Sequence, residues 1–357
     1  MFIAIKLPVS FYRNIVWLLY GITLILLIGL FFFSSDVTNT QRWYDIFGFF
    51  RFQPSELAKL VLIITLAVMM GKRDYEYDKW YKLLMPLTIL GVMFALIIKQ
   101  PDLGTGLILM PVFISMIFWG DTKLVLLAAL ILPPISLLLS FSIVLWGIFF
   151  VLSALILFFI KRQQGTSCST AFVVFVIILN IFMGILGPQV WNKLKPYQQK
   201  RIITFLYPEK DVHNSGYQVL QARYAIGSGG VTGKGFLKGT QKKLEFLPEN
   251  HTDFIFSVLG EEFGLVGIIF LFFMQLLIVY RGLSIALSVD KKFDSLLAVG
   301  VTSLFFWQSA INMGMNMGLL PVTGLPLPLI SYGGTSLLIS YYAFGVLLNI
   351  GMKRHRF

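Results

Sequence analysis

Long apolar runs separated by short polar breaks make up most of the 357 residues of this chain. Ten of them, 14–33, 55–71, 83–98, 104–119, 123–141, 143–160, 171–189, 256–280, 295–317 and 333–350, read as spans. Roughly 20 residues of helix cross about 30 Å of hydrocarbon. The runs are continuously apolar rather than alternating, which excludes a transmembrane β-barrel. The pattern predicts an all-α polytopic membrane protein of about ten transmembrane helices, with one long loop, 190–252, between the seventh and the eighth. The first run is too long for a signal-peptide core and no small-residue cleavage site follows it, so it counts as a helix. No internal repeat or heptad run breaks the series, and residues 1–357 read as a single membrane domain.

Basic residues orient the spans. Lys6 and Arg13 precede the first, Lys72, Arg73, Lys79 and Lys82 follow the second, Lys161 and Arg162 follow the sixth, and Lys353, Arg354 and Arg356 close the chain. The short loops of the opposite side, at 34–54, 141–142 and 318–332, carry only Arg42 and Arg51. The excess of Lys and Arg in cytoplasmic loops places both termini in the cytoplasm. Composition agrees, with 57% hydrophobic and 13% charged residues against about a quarter charged in soluble chains. The net charge of +12 is partly this orientation signal, so it does not imply nucleic-acid binding. The lone Cys168 falls beside a cytoplasmic basic cluster, where thiols stay reduced, which excludes disulfides and Cys-based zinc sites.

The long loop lies outside on this reading, yet it holds ten Lys and Arg, including Arg201, Lys242 and Lys243, against four acidic residues. Long loops are translocated regardless of charge, so the basic excess is either a solvated surface or a seat for an anionic ligand at the outer leaflet. Within it, QVLQARYAIGSGGVTGKG (218–235) predicts a helix ending in a glycine cluster. No Ser or Thr follows its Gly-Lys pair, so it is no nucleotide-binding P-loop. The glycines form either a flexible turn or an anion nest.

Ionisable residues at the edge of a span are costly and point to function. Three outer-side clusters qualify. In QRWYDIFGFFRFQPSELAK (41–59), Glu56 and Lys59 share a helix face as an i, i+3 pair; either they cap the helix locally, or Lys59, deeper than a cap needs, belongs to a site. In KQPDLGTG (99–106), an N-cap is a sufficient account of Asp102. FLPENHTDFIF (246–256) puts Glu249, His251 and Asp253 at the lip of the eighth span, with Glu261 and Glu262 two to three turns inside. A carboxylate at a helix start gains from the helix dipole. Together such carboxylates, facing a basic loop, would surround a polar head group or a metal. No GxSxG elbow or HExxH helix is present, which leaves acid/base chemistry. The stretch NMGLLPVTGLPLPLISYGGTS (316–336) has too many prolines and glycines for a regular helix. Between spans such backbone survives only when buried in protein or lining a cavity.

At these residues the chain resembles the RodA/FtsW/SpoVE family of shape, elongation, division and sporulation proteins. The matching elements are RW (42–43), FQPSELAK (52–59), QPDLGT (100–105), AIGSGG with GKG and GTQ (225–241), FLPENHTDFIFSVLGEEFG (246–264) and GLLPVTGLPLPLISYGGTS (318–336). PVTGLPLP and LEFLPE look more like the RodA branch. One span precedes the RW element, where family members commonly have two more. The resemblance implies a peptidoglycan glycosyltransferase of the bacterial inner membrane that joins lipid II units at the outer leaflet. The partners it implies are the elongation machinery and a class B penicillin-binding protein. Asp253 falls on the family's catalytic aspartate. Arg42, Trp43, Glu56, Lys59, Asp102, Arg201, Lys242, Lys243, Glu249 and His251 are the expected substrate-binding residues. No cofactor is certain, and a divalent cation, magnesium or manganese, is left open. A flippase for the lipid-linked precursor and a noncatalytic scaffold are the competing readings.

Overall fold

The computed structural model describes residues 1–33, 42–46, 50–72, 80–164, 169–194, 196–207, 215–239 and 252–353. Each of the ten predicted runs is a helix. In chain order the elements are α1 (Phe2–Lys6), α2 (Val9–Phe33), the strands β1 (Tyr44–Ile46) and β2 (Phe50–Phe52), and α3 (Pro54–Met70). There follow α4 (Leu84–Lys99), α5 (Leu103–Trp119), α6 (Leu124–Leu139), α7 (Ile143–Gln164), α8 (Thr170–Lys193), α9 (Pro196–Leu206) and α10 (Ser215–Ser228). The last three are α11 (Ile255–Ser288), α12 (Lys292–Asn316) and α13 (Gly334–Lys353). Among the described residues, seven helices are long and apolar enough to cross a membrane, and α5 and α6 are shorter apolar helices. The protein is therefore a multi-pass helical membrane protein.

Three features differ from the expectation. The predicted 190–252 loop holds more helix than expected: α8 runs to Lys193 and α9 begins with proline at its first turn, where the missing N–H costs nothing, while α10, ending at Ser228 just before the glycines, is the helix that 218–235 predicts. Second, α11 reaches Ser288, beyond the expected 280. Third, a small antiparallel hairpin pairs Tyr44 with Phe52 and Asp45 with Arg51; its aromatic residues favour strands. The Tyr44 hydroxyl donates to the Leu26 carbonyl at 2.8 Å, and burial raises the pKa of this phenol, keeping it a donor.

The chain divides into two compact units, one holding α6–α8 and the other holding α1–α4, most of α5 and α10–α13. In the former, one polar knot joins three helices: Trp146 of α7 donates to Ser136 Oγ of α6 at 2.9 Å, and Ser136 donates to the Asn180 carbonyl of α8 at 2.9 Å. Such bonds supplement packing where lipid removes the hydrophobic drive between helices.

In the larger unit α12 packs against α3, α11 and α13. Small residues allow the approach: a Cβ on Gly300 would stand 2.4 Å from Ile63 Cγ2, and one on Gly282 would stand 2.0 Å from Thr302 Oγ1. Every residue of α3 except Leu57 is buried. At the other end of the sequence, Asn349 of α13 donates to the carbonyls of Ala4, Ile5 and Leu7 at 2.9, 2.8 and 2.5 Å. It supplies the partners that the end of a five-residue helix lacks.

The glycine cluster has a definite task. Helix α11 breaks at Gly264, with φ 63° and ψ −159°, which unpairs the amides and carbonyls on either side. The segment 230–235 fills those positions: Leu265 and Val266 donate to the carbonyls of Gly230 and Val231 at 2.9 and 3.1 Å. In return Lys234 and Gly235 donate to those of Glu261 and Glu262, both at 3.0 Å. The Lys234 ammonium adds an ion pair with Glu261 at 2.7 Å. The glycines are thus a clasp, and the Lys234 and Gly235 amides that a nest would present are spent on α11.

Only glycine adopts the Gly264 conformation, and a Cβ there would stand 2.4 Å from the Gly233 nitrogen. Gly264→Ala should lower stability by about 2–3 kcal/mol or more. Gly227→Ala in α10, where nothing lies within 4 Å, should be neutral or mildly stabilising. Thermal unfolding of the two variants in detergent checks this, and equal melting temperatures would refute the clasp.

Candidate active site

Asp253 sits in the turn that opens α11, half-buried. Its main chain is held from α12: the Asp253 carbonyl accepts bonds from Asn312 Nδ2 at 2.9 Å and Asn316 Nδ2 at 3.0 Å. The preceding carbonyl, Thr252, accepts from Ser331 Oγ at 2.6 Å, and Ser331 Oγ accepts from the Leu327 amide at 2.7 Å. Ser257, one turn on, donates to Asn316 Oδ1 at 2.6 Å. On the side-chain side, Gly324 has φ +72°, and a Cβ there would stand 3.4 Å from Asp253 Oδ2.

The segment between α12 and α13 has no regular helix, so its backbone groups need side-chain partners. Gln308 and Asn312, spaced four apart on one face of α12, supply two of them. Gln308 donates to the Pro326 carbonyl at 2.9 Å and Asn312 to the Leu325 carbonyl at 2.6 Å.

Lys59 and Glu56 form an ion pair at 2.8 Å with side chains only 2% and 3% exposed. Lys59 also donates to Gln308 Oε1 at 3.0 Å. A surface cap would leave both groups wet; here they are desolvated and tied to the residue that holds Pro326. Asp102 is the N-cap of α5, accepting from the Thr105 amide at 3.2 Å. Its Oδ2 accepts from Ser55 at 2.7 Å, Thr105 Oγ1 at 2.9 Å and Gln53 at 3.0 Å. These bonds staple the start of α5 to that of α3, and a Cβ on Gly104 would meet the Thr323 carbonyl at 2.5 Å.

Four of the expected residues, Glu56, Lys59, Asp102 and Asp253, therefore surround one irregular segment, 317–333. Arg42 donates to the carbonyls of Gln100 and Pro101, so it braces the turn before Asp102. Trp43, beside it, is half-buried, as is Arg201 in α9. Lys242, Lys243, Glu249 and His251 lie outside the described residues. Among the described residues no three His, Cys, Asp or Glu side chains gather to hold a metal ion. An apolar cleft of about 690 Å³ runs along α11 past Leu259, Phe263, Val266 and Phe270 to Ile330, next to Ser331.

Fold and site define a class: a multi-pass helical membrane protein with buried polar side chains gathered on one loop between spans. The FTSW_RODA_SPOVE family model, described as cell cycle protein, matches residues 1–166 and 146–356. The chain belongs to this family. It is 34% identical over 359 residues to the peptidoglycan glycosyltransferase MrdB of Escherichia coli (strain K12), covering 99% of this chain and 82% of that protein. It is 33% identical over 389 residues to the peptidoglycan glycosyltransferase RodA of Treponema pallidum (strain Nichols), covering 99% and 88%. Among solved structures, a chain of a peptidoglycan synthase complex superposes with a TM-score of 0.71 at 26% identity, over 100% of this chain and 86% of that one. The Thermus thermophilus rod shape determining protein RodA shares the fold, with a TM-score of 0.59 at 22% identity over 100% and 84%.

Removing one member of a desolvated ion pair leaves an uncompensated charge, at about 3–5 kcal/mol. Glu56→Gln should therefore destabilise by that amount, and adding Lys59→Met should recover part of the loss. A double-mutant cycle on thermal unfolding in detergent reads the coupling; purely additive effects would show that the pair is not desolvated.

Proposed function

We propose that the protein is a peptidoglycan glycosyltransferase that polymerises lipid II at the outer leaflet of the bacterial inner membrane during elongation and shape maintenance. The carrying observation is the position of Asp253, on a turn pinned by α12 and the 317–333 segment, in a chain whose relatives are named peptidoglycan glycosyltransferases. Both termini lie in the cytoplasm on this reading, and a class B penicillin-binding protein cross-links the product.

Asp253 accepts the proton of an acceptor GlcNAc 4-hydroxyl as that oxygen attacks the anomeric carbon of the donor MurNAc. The bond from that carbon to the phosphate oxygen breaks, and undecaprenyl pyrophosphate leaves with the electron pair. The leaving group is already good, so positioning and charge neutralisation contribute most, with about 10²- to 10⁴-fold from the base. Arg201, Lys242 and Lys243 are the candidates for neutralising the pyrophosphate, Glu249 and His251 are further candidates for substrate binding, and Arg42, Trp43, Glu56, Lys59 and Asp102 shape the site. The polyprenyl chain follows the apolar cleft along α11. No step is assigned to a divalent cation.

A flippase needs polar access from both leaflets, whereas the buried polar network described above gathers on one segment. Reconstitution with labelled lipid II separates polymer from translocation without polymer, and from neither, the outcome for a scaffold.

Asp253→Asn keeps the shape of the side chain and loses the base. Polymer yield should fall at least about 100-fold with lipid II binding within about twofold; wild-type turnover would overturn the assignment. Replacing Lys242 and Lys243 by Gln should weaken lipid II binding at low salt. The difference should shrink as ionic strength rises, because exposed charges are screened within about 8 Å at physiological salt.

A further inference from the structure

Three amide side chains on α12 remain outside the chemistry proposed above: Gln308, Asn312 and Asn316. All are nearly or fully inaccessible, with Asn312 and Asn316 at 0% exposure. Amides deep in an apolar helix are costly unless every polar atom finds a partner. Asn316 Nδ2 contacts the Asp253 carbonyl, the Asn312 carbonyl and, at 3.4 Å, Asn312 Oδ1, while its own Oδ1 accepts from Ser257. Asn312 Nδ2 is shared between the Asp253 and Leu325 carbonyls. Two neighbouring turns of one rigid helix thus converge on a single main-chain atom, the carbonyl oxygen of residue 253.

We infer that Asn312 and Asn316 are positioning residues that set the place of the Asp253 carboxylate by clamping its own carbonyl to α12. The inference rests on the assignment of Asp253 as the base. A double clamp on one carbonyl restrains both the translation and the tilt of that peptide unit, which a single bond does not. The same Asn312 amide holds Leu325, next to the Gly324 that lies against Asp253 Oδ2. Base and facing wall are therefore registered to one side chain. Misplacing a catalytic group by about 1 Å costs on the order of 10²-fold in rate, without a matching loss of ground-state binding.

The test has two independent readouts. In the polymerisation assay, Asn312→Ala and Asn316→Ala should each lower kcat about tenfold or more, and together about 100-fold, with KM for lipid II within about twofold. A merely structural role would lower the melting temperature while leaving kcat of the folded fraction unchanged, and that result overturns the inference. If the alanine forms do not purify, Asn316→Gln, which keeps the amide but moves it by one methylene, carries the same comparison. The second readout needs no polymerase activity. In a Cys168→Ser background, the thiol of Asp253→Cys is titrated with a water-soluble maleimide in detergent, with both asparagines present and with Asn312→Ala and Asn316→Ala. Loss of the clamp should raise the alkylation rate severalfold. Equal rates refute the clamp even in protein that does not polymerise, whereas wild-type protein that forms no polymer refutes the glycosyltransferase reading while the alkylation result decides the clamp on its own.

Discussion

Between membrane-spanning helices a backbone amide or carbonyl has no water to turn to, and each must be matched inside the protein. Two irregular segments of the larger unit are built around that constraint. The break in α11 at Gly264 is closed by segment 230–235, which exchanges four main-chain bonds with it. The segment between α12 and α13 is closed by amide side chains from α12 and by Ser331. Both solutions act on the N-terminal part of α11, the second at Asp253 itself and the first two to three turns further along. The N-terminal part of that helix is held by the clasp and by α12.

Buried charge follows the same logic at greater cost. Lys59 and Glu56 lie where solvation is lost, and their attraction offsets that loss only with further hydrogen bonds. Gln308 provides one, accepting from Lys59 while donating to the Pro326 carbonyl. An ion pair on α3 is in this way linked through one side chain to the loop facing Asp253. Asp102 meets the constraint differently, with four donors on its two oxygens, and ties the first turns of α3 and α5 together.

Much of this was legible in the sequence because apolar runs are long and ionisable residues within them are rare. The ten helical segments and the irregular 316–336 stretch follow from the first signal, and the second singled out Glu56, Lys59 and Asp102 while leaving open whether they cap helices or build a site. The clasp was not legible: glycine clusters in a loop look alike whether they bend freely or pair with a distant helix, and the pairing joins residues about thirty positions apart. Helix α9 was missed because its sequence is too polar to register as a span. The α12 amides were missed for a different reason. Gln308, Asn312 and Asn316 carry no charge, so a search for ionisable residues passes over them, although their i, i+4 spacing along one face is the signal that finds them.

Asp102 and Asp253 show how placement separates two acids of the same kind. The oxygens of Asp102 accept the bonds that join α3 to α5. The main chain of Asp253 is located through its carbonyl, which accepts from Asn312 and Asn316, and neither bond involves the carboxylate. Under the proposed general-base role, main-chain bonds that do not involve the carboxylate suit a group that takes up and returns a proton in each cycle. Asp102 thus serves as the acceptor in the joint between α3 and α5, whereas the main chain of Asp253 is fixed from α12 by two bonds to its own carbonyl.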